Sequence, residues 1–253
     1  MGRAAVRAIA REDDLTLVGA LGRTTAVGRD AGEVAGAGRL GVEVAAALDT
    51  VLAAGADVLI DFSPGASAVE HGRAAIARGV SPVIGGTGLT ADQITQLSGL
   101  CEARALGAVI APNFAIGAVL MMEFARQAVR YLPQAEIIEL HHDRKRDAPS
   151  GTALKTAAVI GQARGVPPSR AVQEDEMVPG ARGGAVEGIR VHSVRLPGLV
   201  AHQEVIFGGP GQTLTIRHDS VTEESFMPGL LLAVRRVRAL PGLVYGLEKL
   251  LES

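Results

Sequence analysis

The chain contains only one cysteine, Cys101, among its 253 residues. A single cysteine excludes an intrachain disulfide, and thiolate metal clusters need several cysteines. Proteins of oxidising compartments commonly carry disulfides, so this composition favours a reducing compartment. We therefore expect a cytoplasmic protein.

Aromatic residues are also scarce, at 3% with no tryptophan, and the 25 basic and 27 acidic residues nearly cancel. A nucleic-acid-binding protein usually needs a basic surface for phosphates or aromatic side chains on which bases stack. Apolar stretches fall short of the roughly 20 residues that cross a bilayer, and the arginines in residues 1–10 are not typical of a signal peptide. We expect neither nucleic-acid nor membrane partners.

Apolar runs alternate with helical patterns in the first part of the chain. Strands are predicted over 15–20, 58–62, 82–85 and 109–111, and helices over 4–10, 44–54, 66–79 and 91–106. Strands without polar alternation are typical of parallel sheets covered by helices on both faces. Residues 1–112 are therefore predicted to form an α/β domain with a doubly wound parallel sheet.

The pattern changes after Asn113. A long helix is predicted over 117–131, and later segments such as 189–194, 203–207 and 213–218 alternate apolar and polar residues. Such alternation is typical of antiparallel strands with one face towards water. We expect a second, α+β domain over 113–225, and a helical segment over 226–253 that returns to the first domain.

The segment from His141 to Thr152, HHDRKRDAPSGT, concentrates residues that carry chemistry. Ser150 is a favourable N-cap for a helix starting at Gly151, and the first N–H groups of a helix lack acceptors within it. Such a turn favours an anion, for example a carboxylate. Lys145, one of only three lysines, can pair with a second carboxylate or deliver a proton. The segment predicts a binding site for a small dianion.

Two other interpretations of this segment stay open. A solvated basic turn before a capped helix would show the same residue types. A metal site at His141 and His142 is less favoured, because neighbouring residues of a strand point to opposite faces. We therefore predict no metal site.

The run ELHHDRKRDAPSGTAL, from Glu139 to Leu154, resembles the signature of the 4-hydroxy-tetrahydrodipicolinate reductase family, the dihydrodipicolinate reductases of lysine and diaminopimelate biosynthesis. Further segments resemble the family in the same order, namely LIDFS (59–63), VIGGTG (83–88), APNFAIG (111–117), HSVRLPGLVAHQEVIFGG (192–209) and TLTIRHDSVTEESFMPG (213–229). The resemblance spans nearly the whole chain. It implies a Rossmann-like dinucleotide-binding domain and a second domain for substrate binding and assembly into a homotetramer.

The resemblance also implies a reaction, namely hydride transfer from NADPH or NADH to a cyclic imine dicarboxylate with loss of water, giving tetrahydrodipicolinate. By position in the motif, His141 is the general acid/base and Lys145 is the proton donor. His142, Gly151 and Thr152 match substrate-binding positions. The anion site inferred from the residues agrees with a dicarboxylate substrate.

Cofactor contacts are expected where the predicted parallel strands end, because ligands of doubly wound sheets bind there. The residues concerned are Gly85, Gly86, Thr87, Ala111, Pro112, Asn113 and Phe114. The family usually has GTTG at the first of these places, so Gly86 is a departure. From its residue type alone, Phe114 would be favoured as a core aromatic.

Arg23 follows the strand predicted over 15–20, where nucleotide-binding folds contact the adenosine ribose. An acidic residue common just before it is replaced here by Gly22. An acid would repel a 2′-phosphate, whereas an arginine beside a glycine offers it a cation. We predict a preference for NADPH; an exposed surface arginine is the alternative.

The family usually begins with a strand and a glycine-rich turn ending in GRMG, of which this chain matches only the last residues, at Met1-Gly2-Arg3. We expect a sheet that lacks its first strand, a less stable domain, and a true start that lies upstream. Two further alternatives follow: a cofactor-impaired remnant that acts only as a binding or structural protein, and another two-domain reductase of a small imine or amino acid.

Overall fold

The computed structural model describes residues 1–23, 25–86, 88–166 and 175–251. The chain divides into two compact units. Unit 1 comprises Met1–Phe114 together with Glu223–Ser253, and unit 2 comprises Ala115–Thr222. Each unit contains helices packed on a sheet of its own.

The helices and strands follow one another from the first residues to the last. The helices are α1 (Gly2–Ile9), α2 (Ala31–Ala35), α3 (Leu48–Leu52), α4 (Gly65–Ala77), α5 (Ala91–Glu102), α6 (Ile116–Ala128), α7 (Gly151–Arg164), α8 (Met227–Val237) and α9 (Glu248–Leu251). The strands are β1 (Ala20–Leu21), β2 (Val44–Ala45), β3 (Val58–Asp61), β4 (Ser81–Ile84), β5 (Ala108–Ile110), β6 (Gln134–His141), β7 (Gly184–Val186), β8 (Ile189–Arg195), β9 (Ala201–Gly209), β10 (Gln212–Ser220) and β11 (Leu243–Tyr245). Within the described ranges, no helix is both long and apolar enough to cross a membrane.

Unit 1 is built on parallel strands. Four of them form a sheet in the order β11-β5-β4-β3, while β1 and β2 form a separate parallel pair. Strand β4 is buried along its whole length, as expected of a strand covered on both faces. Helices α4 and α8 both pack on β3 and β4. These features confirm the predicted Rossmann-like α/β fold class.

The core of unit 1 lies where α4 and α5 pack on β4 and β5. Ile76, Ile84, Leu97 and Ile110 are all at most 1% exposed there. Cys101 belongs to the same core, and burial raises the pKa of its thiol to about 11. The thiol is therefore protonated at neutral pH and contributes to packing rather than to chemistry.

A cavity of about 430 Å³ lies within unit 1. Its lining includes residues 15–21, which contain β1, and residues 57–63, which contain β3. The β1–β2 pair and the four-stranded sheet both border this cavity. Each of them is a separate hydrogen-bonded sheet. The parallel strands of unit 1 are thus divided into two sheets, and the cavity lies between β1 and β3.

Unit 2 contains a five-stranded mixed sheet in the order β10-β9-β6-β8-β7. Strands β6 and β8 are parallel, and the other neighbours are antiparallel. Helices α6 and α7 contact each other and pack on the sheet. On β9, Gln203, Val205 and Phe207 are buried while the residues between them are half-buried. This alternation confirms the predicted α+β character.

Three segments differ from the sequence-based prediction. The strand expected over 15–20 is reduced to β1, and the helix expected over 44–54 is replaced by β2 followed by α3. β2 forms because Val44 and Ala45 pair with Ala20 and Leu21, and a partner more than 20 residues away leaves no local signal. The segment 226–253 is not wholly helical, because β11 joins the parallel sheet beside β5.

Candidate active site

The candidate site of unit 2 begins at the end of β6. His141 is the last residue of this strand, and His142 follows it. The Lys145 N–H donates to the His142 carbonyl oxygen at 3.1 Å, which closes a turn. Helix α7 starts after Ser150. The motif residues therefore lie in one short stretch between a strand end and a helix start.

His141 is oriented by a buried carboxylate. Glu139 lies two residues earlier on β6, so the two side chains point to the same face of the sheet. Glu139 is fully buried, and the His141 side chain is 14% exposed. Nδ1 of His141 lies 2.5 Å from Oε2 of Glu139. The ring is thus held on its Nδ1 side.

Arg195, the last residue of β8, pairs with the same carboxylate. Its Nη1 and Nη2 atoms donate to Oε2 and Oε1 of Glu139 at 2.9 and 2.7 Å. Nη2 also donates to the carbonyl oxygen of Asp147 at 2.8 Å. Arg195 lies opposite His141 in the parallel register of β6 and β8. The guanidinium therefore links both strands to the loop that carries Lys145.

The charge state of Glu139 follows from these contacts. Burial raises the pKa of this carboxyl, but hydrogen bonds from His141, Arg195 and Ser193 lower it more, to about 2. Hydrogen bonds to the charged form favour ionisation. Glu139 is therefore a carboxylate at neutral pH, and an ionised carboxylate can only accept hydrogen bonds.

Lys145 lies beside Asp147. Its Nζ atom donates to both carboxylate oxygens of Asp147, at 2.8 Å each. This hydrogen bond is the main reason why the pKa of Asp147 lies below its usual value. The Lys145 side chain is 20% exposed and that of Asp147 is 62% exposed. The ammonium is thus held at the surface by an acid that an incoming carboxylate could replace.

The start of α7 is capped as predicted. Ser150 accepts from the Ala153 N–H at 3.2 Å, and its own N–H donates to Oε1 of Glu139 at 3.3 Å. The Ala153 N–H therefore has a partner in the cap and is not a free donor for an anion. A side chain at Gly151 would meet nothing within 4 Å. Space at this position suits the approach of a ligand.

Thr152 and His142 are half-buried. The carbonyl oxygen of Thr152 accepts from the Thr156 hydroxyl at 2.8 Å, within α7. Nδ1 of His142 is buried without a hydrogen-bond partner among the described residues. Throughout the residues that the structure describes, there is no group of three or more histidine, cysteine or acidic side chains that could hold a metal ion.

Unit 1 brings Gly85 and Gly86 to the carboxyl end of β4. A Cβ at Gly85 would lie 2.5 Å from the Phe62 ring and 2.8 Å from the Phe114 ring, and one at Gly86 would collide with the Ser63 carbonyl oxygen. Close internal packing therefore requires glycine at both positions. Phe114 is 2% exposed, and its ring meets that of Phe62 edge to face, with centroids 6.1 Å apart. Its side chain is a core aromatic.

The remaining residues predicted to contact the cofactor have different surroundings. Ala111 is fully buried and its N–H donates to the Ile84 carbonyl oxygen at 2.9 Å, Pro112 is exposed, and Asn113 is half-buried. Thr87 lies outside the described residues. Since β4 and β5 are parallel neighbours, their carboxyl ends meet at one edge. This edge offers backbone groups and uncharged side chains, which suit a nicotinamide ring.

Arg23 follows β1 and is exposed. Gly22 lies directly beside β2, where its N–H donates to the Ala45 carbonyl oxygen at 2.9 Å. An added Cβ at Gly22 would collide with the Val44 side chain. This packing explains the absence of an acidic side chain at position 22. A phosphate near Arg23 would be attracted by the guanidinium, and no acidic side chain at position 22 would repel it.

Sequence reasoning did not identify Glu139, Arg195 and Asp147 as part of the site. A signal for Glu139 was present, because its spacing of two from His141 on a predicted strand places both on one face. Arg195 has no comparable local signal. Its pairing with Glu139 across 56 residues depends on the register of β6 and β8.

The parallel α/β unit and the ionisable cluster of unit 2 are of the kind found in nicotinamide-dependent oxidoreductases, and the family models that match the chain support that class. Two family models match nearly the whole chain: "Dihydrodipicolinate reductase, N-terminus" over residues 1–114 and "Dihydrodipicolinate reductase, C-terminus" over residues 117–251. The chain therefore belongs to the dihydrodipicolinate reductase family.

Similar proteins support this assignment. The 4-hydroxy-tetrahydrodipicolinate reductase of Moorella thermoacetica is 54% identical over all of this chain and 94% of that protein. The protein of the same name from Desulfitobacterium hafniense is 50% identical over all of this chain and 95% of its own. Among solved structures, "Dipicolinate bound Dihydrodipicolinate reductase from Paenisporosarcina sp. TG-14" has a TM-score of 0.85 and 41% identity, and covers 98% of this chain and 94% of that one.

Proposed function

We propose that this protein reduces 4-hydroxy-tetrahydrodipicolinate to tetrahydrodipicolinate in lysine and diaminopimelate biosynthesis, with NADPH or NADH as the reductant. The single observation that carries the proposal within the molecule is the cluster of His141, Lys145 and the capped start of α7 in one stretch of unit 2. Relatives that bear the name of this activity match the chain over its full length. That similarity disfavours a non-catalytic remnant.

In this proposal, unit 2 binds the substrate. The Lys145 ammonium pairs with one carboxylate of the substrate and leaves Asp147 when it does so. The start of α7 at Gly151 and Thr152 binds the second carboxylate, since helix N-termini favour anions. His142, whose carbonyl oxygen accepts from the Lys145 N–H, completes the substrate contacts. Two separate cationic regions suit a dicarboxylate better than a monoanion.

Proton transfer is assigned to two side chains. The reaction needs a group that helps the 4-hydroxyl leave as water and a group that protonates the reduced ring. His141 acts as the general acid/base, because its ring is fixed by Glu139 and partly exposed. Lys145 donates the proton that completes the reduction, for which an ammonium beside an exposed acid is suited.

In the same proposal, unit 1 binds the cofactor. When bound, the nicotinamide supplies the hydride. Gly85, Gly86, Thr87, Ala111, Pro112, Asn113 and Phe114 would hold the cofactor, chiefly through backbone groups at Ala111 and Phe114, whose side chains are buried. Arg23 would pair with the 2′-phosphate of NADPH, so we propose that NADPH is preferred.

Assembly and location are part of the same proposal. We infer a homotetramer formed through unit 2, whose helices α6 and α7 pack on the sheet and contact each other. Light scattering on the purified protein would give four times the 26.0 kDa chain mass. A cytoplasmic location is expected from the single cysteine.

The experiment that tests the proposed activity is a coupled assay. Freshly made 4-hydroxy-tetrahydrodipicolinate is supplied to the purified protein, and oxidation of NADPH is followed at 340 nm. Substrate-dependent oxidation is expected. Folded protein that oxidises neither NADPH nor NADH in the presence of this substrate would contradict the proposal, and titration of NADPH by thermal shift would then show whether cofactor binding is lost.

A further inference from the structure

We propose that Glu139 and Arg195 act as a positioning pair that fixes His141 with its hydrogen on Nδ1, so that Nε2 exchanges protons with the substrate. This inference rests on the proposed function, because it concerns how the acid/base side chain is prepared for that reaction. Neither residue is proposed to touch the substrate. Their effect on catalysis passes through the His141 ring.

The charge of Glu139 determines which atom carries the hydrogen of its bond to His141. Nδ1 of His141 and Oε2 of Glu139 are 2.5 Å apart. The carboxyl group is ionised at neutral pH, since its pKa is about 2. An ionised carboxylate has no hydrogen to donate, so Nδ1 must carry the hydrogen of this bond. In the neutral ring, Nε2 is then the unprotonated nitrogen that can accept a proton.

Hydrogen bonds to both oxygens fix the position of the Glu139 carboxylate. Oε1 accepts from Arg195 Nη2 at 2.7 Å and from the Ser150 N–H at 3.3 Å, while Oε2 accepts from Arg195 Nη1 at 2.9 Å as well as from His141. A buried carboxylate with partners on both oxygens cannot rotate without breaking several hydrogen bonds. His141 therefore has a rigid acceptor on one side.

The partners of Glu139 connect the His141 ring to the rest of the site. Arg195 also donates to the carbonyl oxygen of Asp147, the residue that holds Lys145. Ser150, which donates to Glu139, caps α7. One buried carboxylate thus stands between the acid/base ring, the lysine loop and the helix start. In Glu139→Gln an amide oxygen at the place of Oε1 can still accept from Arg195 and the Ser150 N–H, so turnover should fall while the anion contacts at Lys145 and α7 are kept.

Unit 2 supplies a matched control on the same strand. Glu136, also on β6, lies 2.8 Å from Nε2 of His192 and pairs with Arg182. Each glutamate therefore contacts one histidine and one arginine. Positions 136 and 139 point to opposite faces of β6, because their spacing is odd. Glu136→Gln removes the same charge from the same strand without touching His141.

The kinetic test compares Glu139→Gln with Glu136→Gln. A glutamine keeps the shape but can turn its NH₂ group towards Nδ1, so the ring loses its fixed hydrogen position. We expect kcat to fall about 10-fold or more in Glu139→Gln with KM for substrate and cofactor within about 3-fold. This loss is smaller than the roughly 10²–10⁴-fold of a removed acid/base group, because the His141 ring itself remains. Glu136→Gln should stay within about 2-fold of wild type in kcat.

Three kinetic results would overturn the proposal. The first is a kcat within about 2-fold of wild type in folded Glu139→Gln. The second is a loss that appears in KM with kcat unchanged. The third is an equal loss of kcat in Glu136→Gln, which would point to general weakening of the sheet. Circular dichroism and thermal unfolding show whether each variant is folded.

A measurement on the unmodified protein keeps the proposal testable if Glu139→Gln does not fold. With ¹⁵N-labelled histidine, the ring nitrogen shifts of His141 at a pH where the ring is neutral identify its tautomer, and His141→Asn assigns the signals. The Nδ1–H form is expected; the Nε2–H form would overturn the proposal. This signature does not require turnover, so failure of the proposed reductase activity would be seen separately.

Discussion

Lys145 donates to both carboxylate oxygens of Asp147, two residues along the same loop, at 2.8 Å each. The lysine proposed to bind and protonate the substrate thus already has an acidic partner. Asp147 is largely exposed, and exposed ion pairs contribute only about 0–1 kcal/mol. A substrate carboxylate can therefore compete with Asp147 for Lys145.

Asp147→Asn should tighten substrate binding. The substitution removes the internal competitor while it keeps the carbonyl group that accepts from Arg195. We expect KM for the substrate to fall by up to about 5-fold, the range set by a surface ion pair, with KM for NADPH unchanged. Steady-state kinetics check this. A raised KM for the substrate would mean that Asp147 serves binding instead of competing with it.

Lys145→Ala and His141→Ala should each lower kcat by about 10²-fold or more, because each removes a group assigned to proton transfer. Lys249→Ala, on α9 of unit 1, is the lysine control and should keep wild-type turnover. The coupled assay gives the rates. Near wild-type kcat in both site variants would refute the assigned roles.

Arg23→Ala should reduce kcat/KM for NADPH by about 10-fold, within the roughly 1.5–3 kcal/mol of a charge-assisted hydrogen bond, and leave NADH nearly unaffected. Only NADPH carries the phosphate that Arg23 is proposed to meet. Arg104→Ala, an exposed arginine that follows α5, serves as the control. If wild type uses NADH as well as or better than NADPH, the proposed preference is refuted whatever the variant does.

Glu139 should make stability depend on pH. Its folded pKa of about 2 lies below the usual 4.5, so its stabilising effect is present above about pH 4.5 and is lost as pH falls through 2. The difference corresponds to about 3 kcal/mol. In urea unfolding, the difference in the free energy of unfolding between wild type and Glu139→Gln should therefore be smaller at pH 3 than at pH 6. The exposed Glu70→Gln serves as the control, and a gap independent of pH would contradict the assignment.

Much of unit 1 and the start of the site followed from local patterns. Apolar runs predicted β3, β4 and β5, and Ser150 before Gly151 predicted the start of α7. Capping and burial are determined by neighbouring residues, which is why these features could be predicted. The dianion site at the motif could be proposed for the same reason.

The parts that could not be predicted depend on distant partners. The two-residue strands β1 and β2 exist because they pair with each other. Arg195 meets Glu139 only through the parallel register of β6 and β8. The packing of Phe62 and Phe114 on Gly85 likewise joins three separate chain segments. Residue types alone carry no information on such pairings.

The loop and helix start of unit 2 are proposed to bind a cyclic dicarboxylate. The most direct measurement is a crystal structure of the protein with pyridine-2,6-dicarboxylate. We expect one carboxylate within hydrogen-bond distance of Lys145 Nζ and the other at the N–H groups of Gly151 and Thr152. A well-ordered ligand bound away from these residues, or folded protein that does not bind it, would contradict the account.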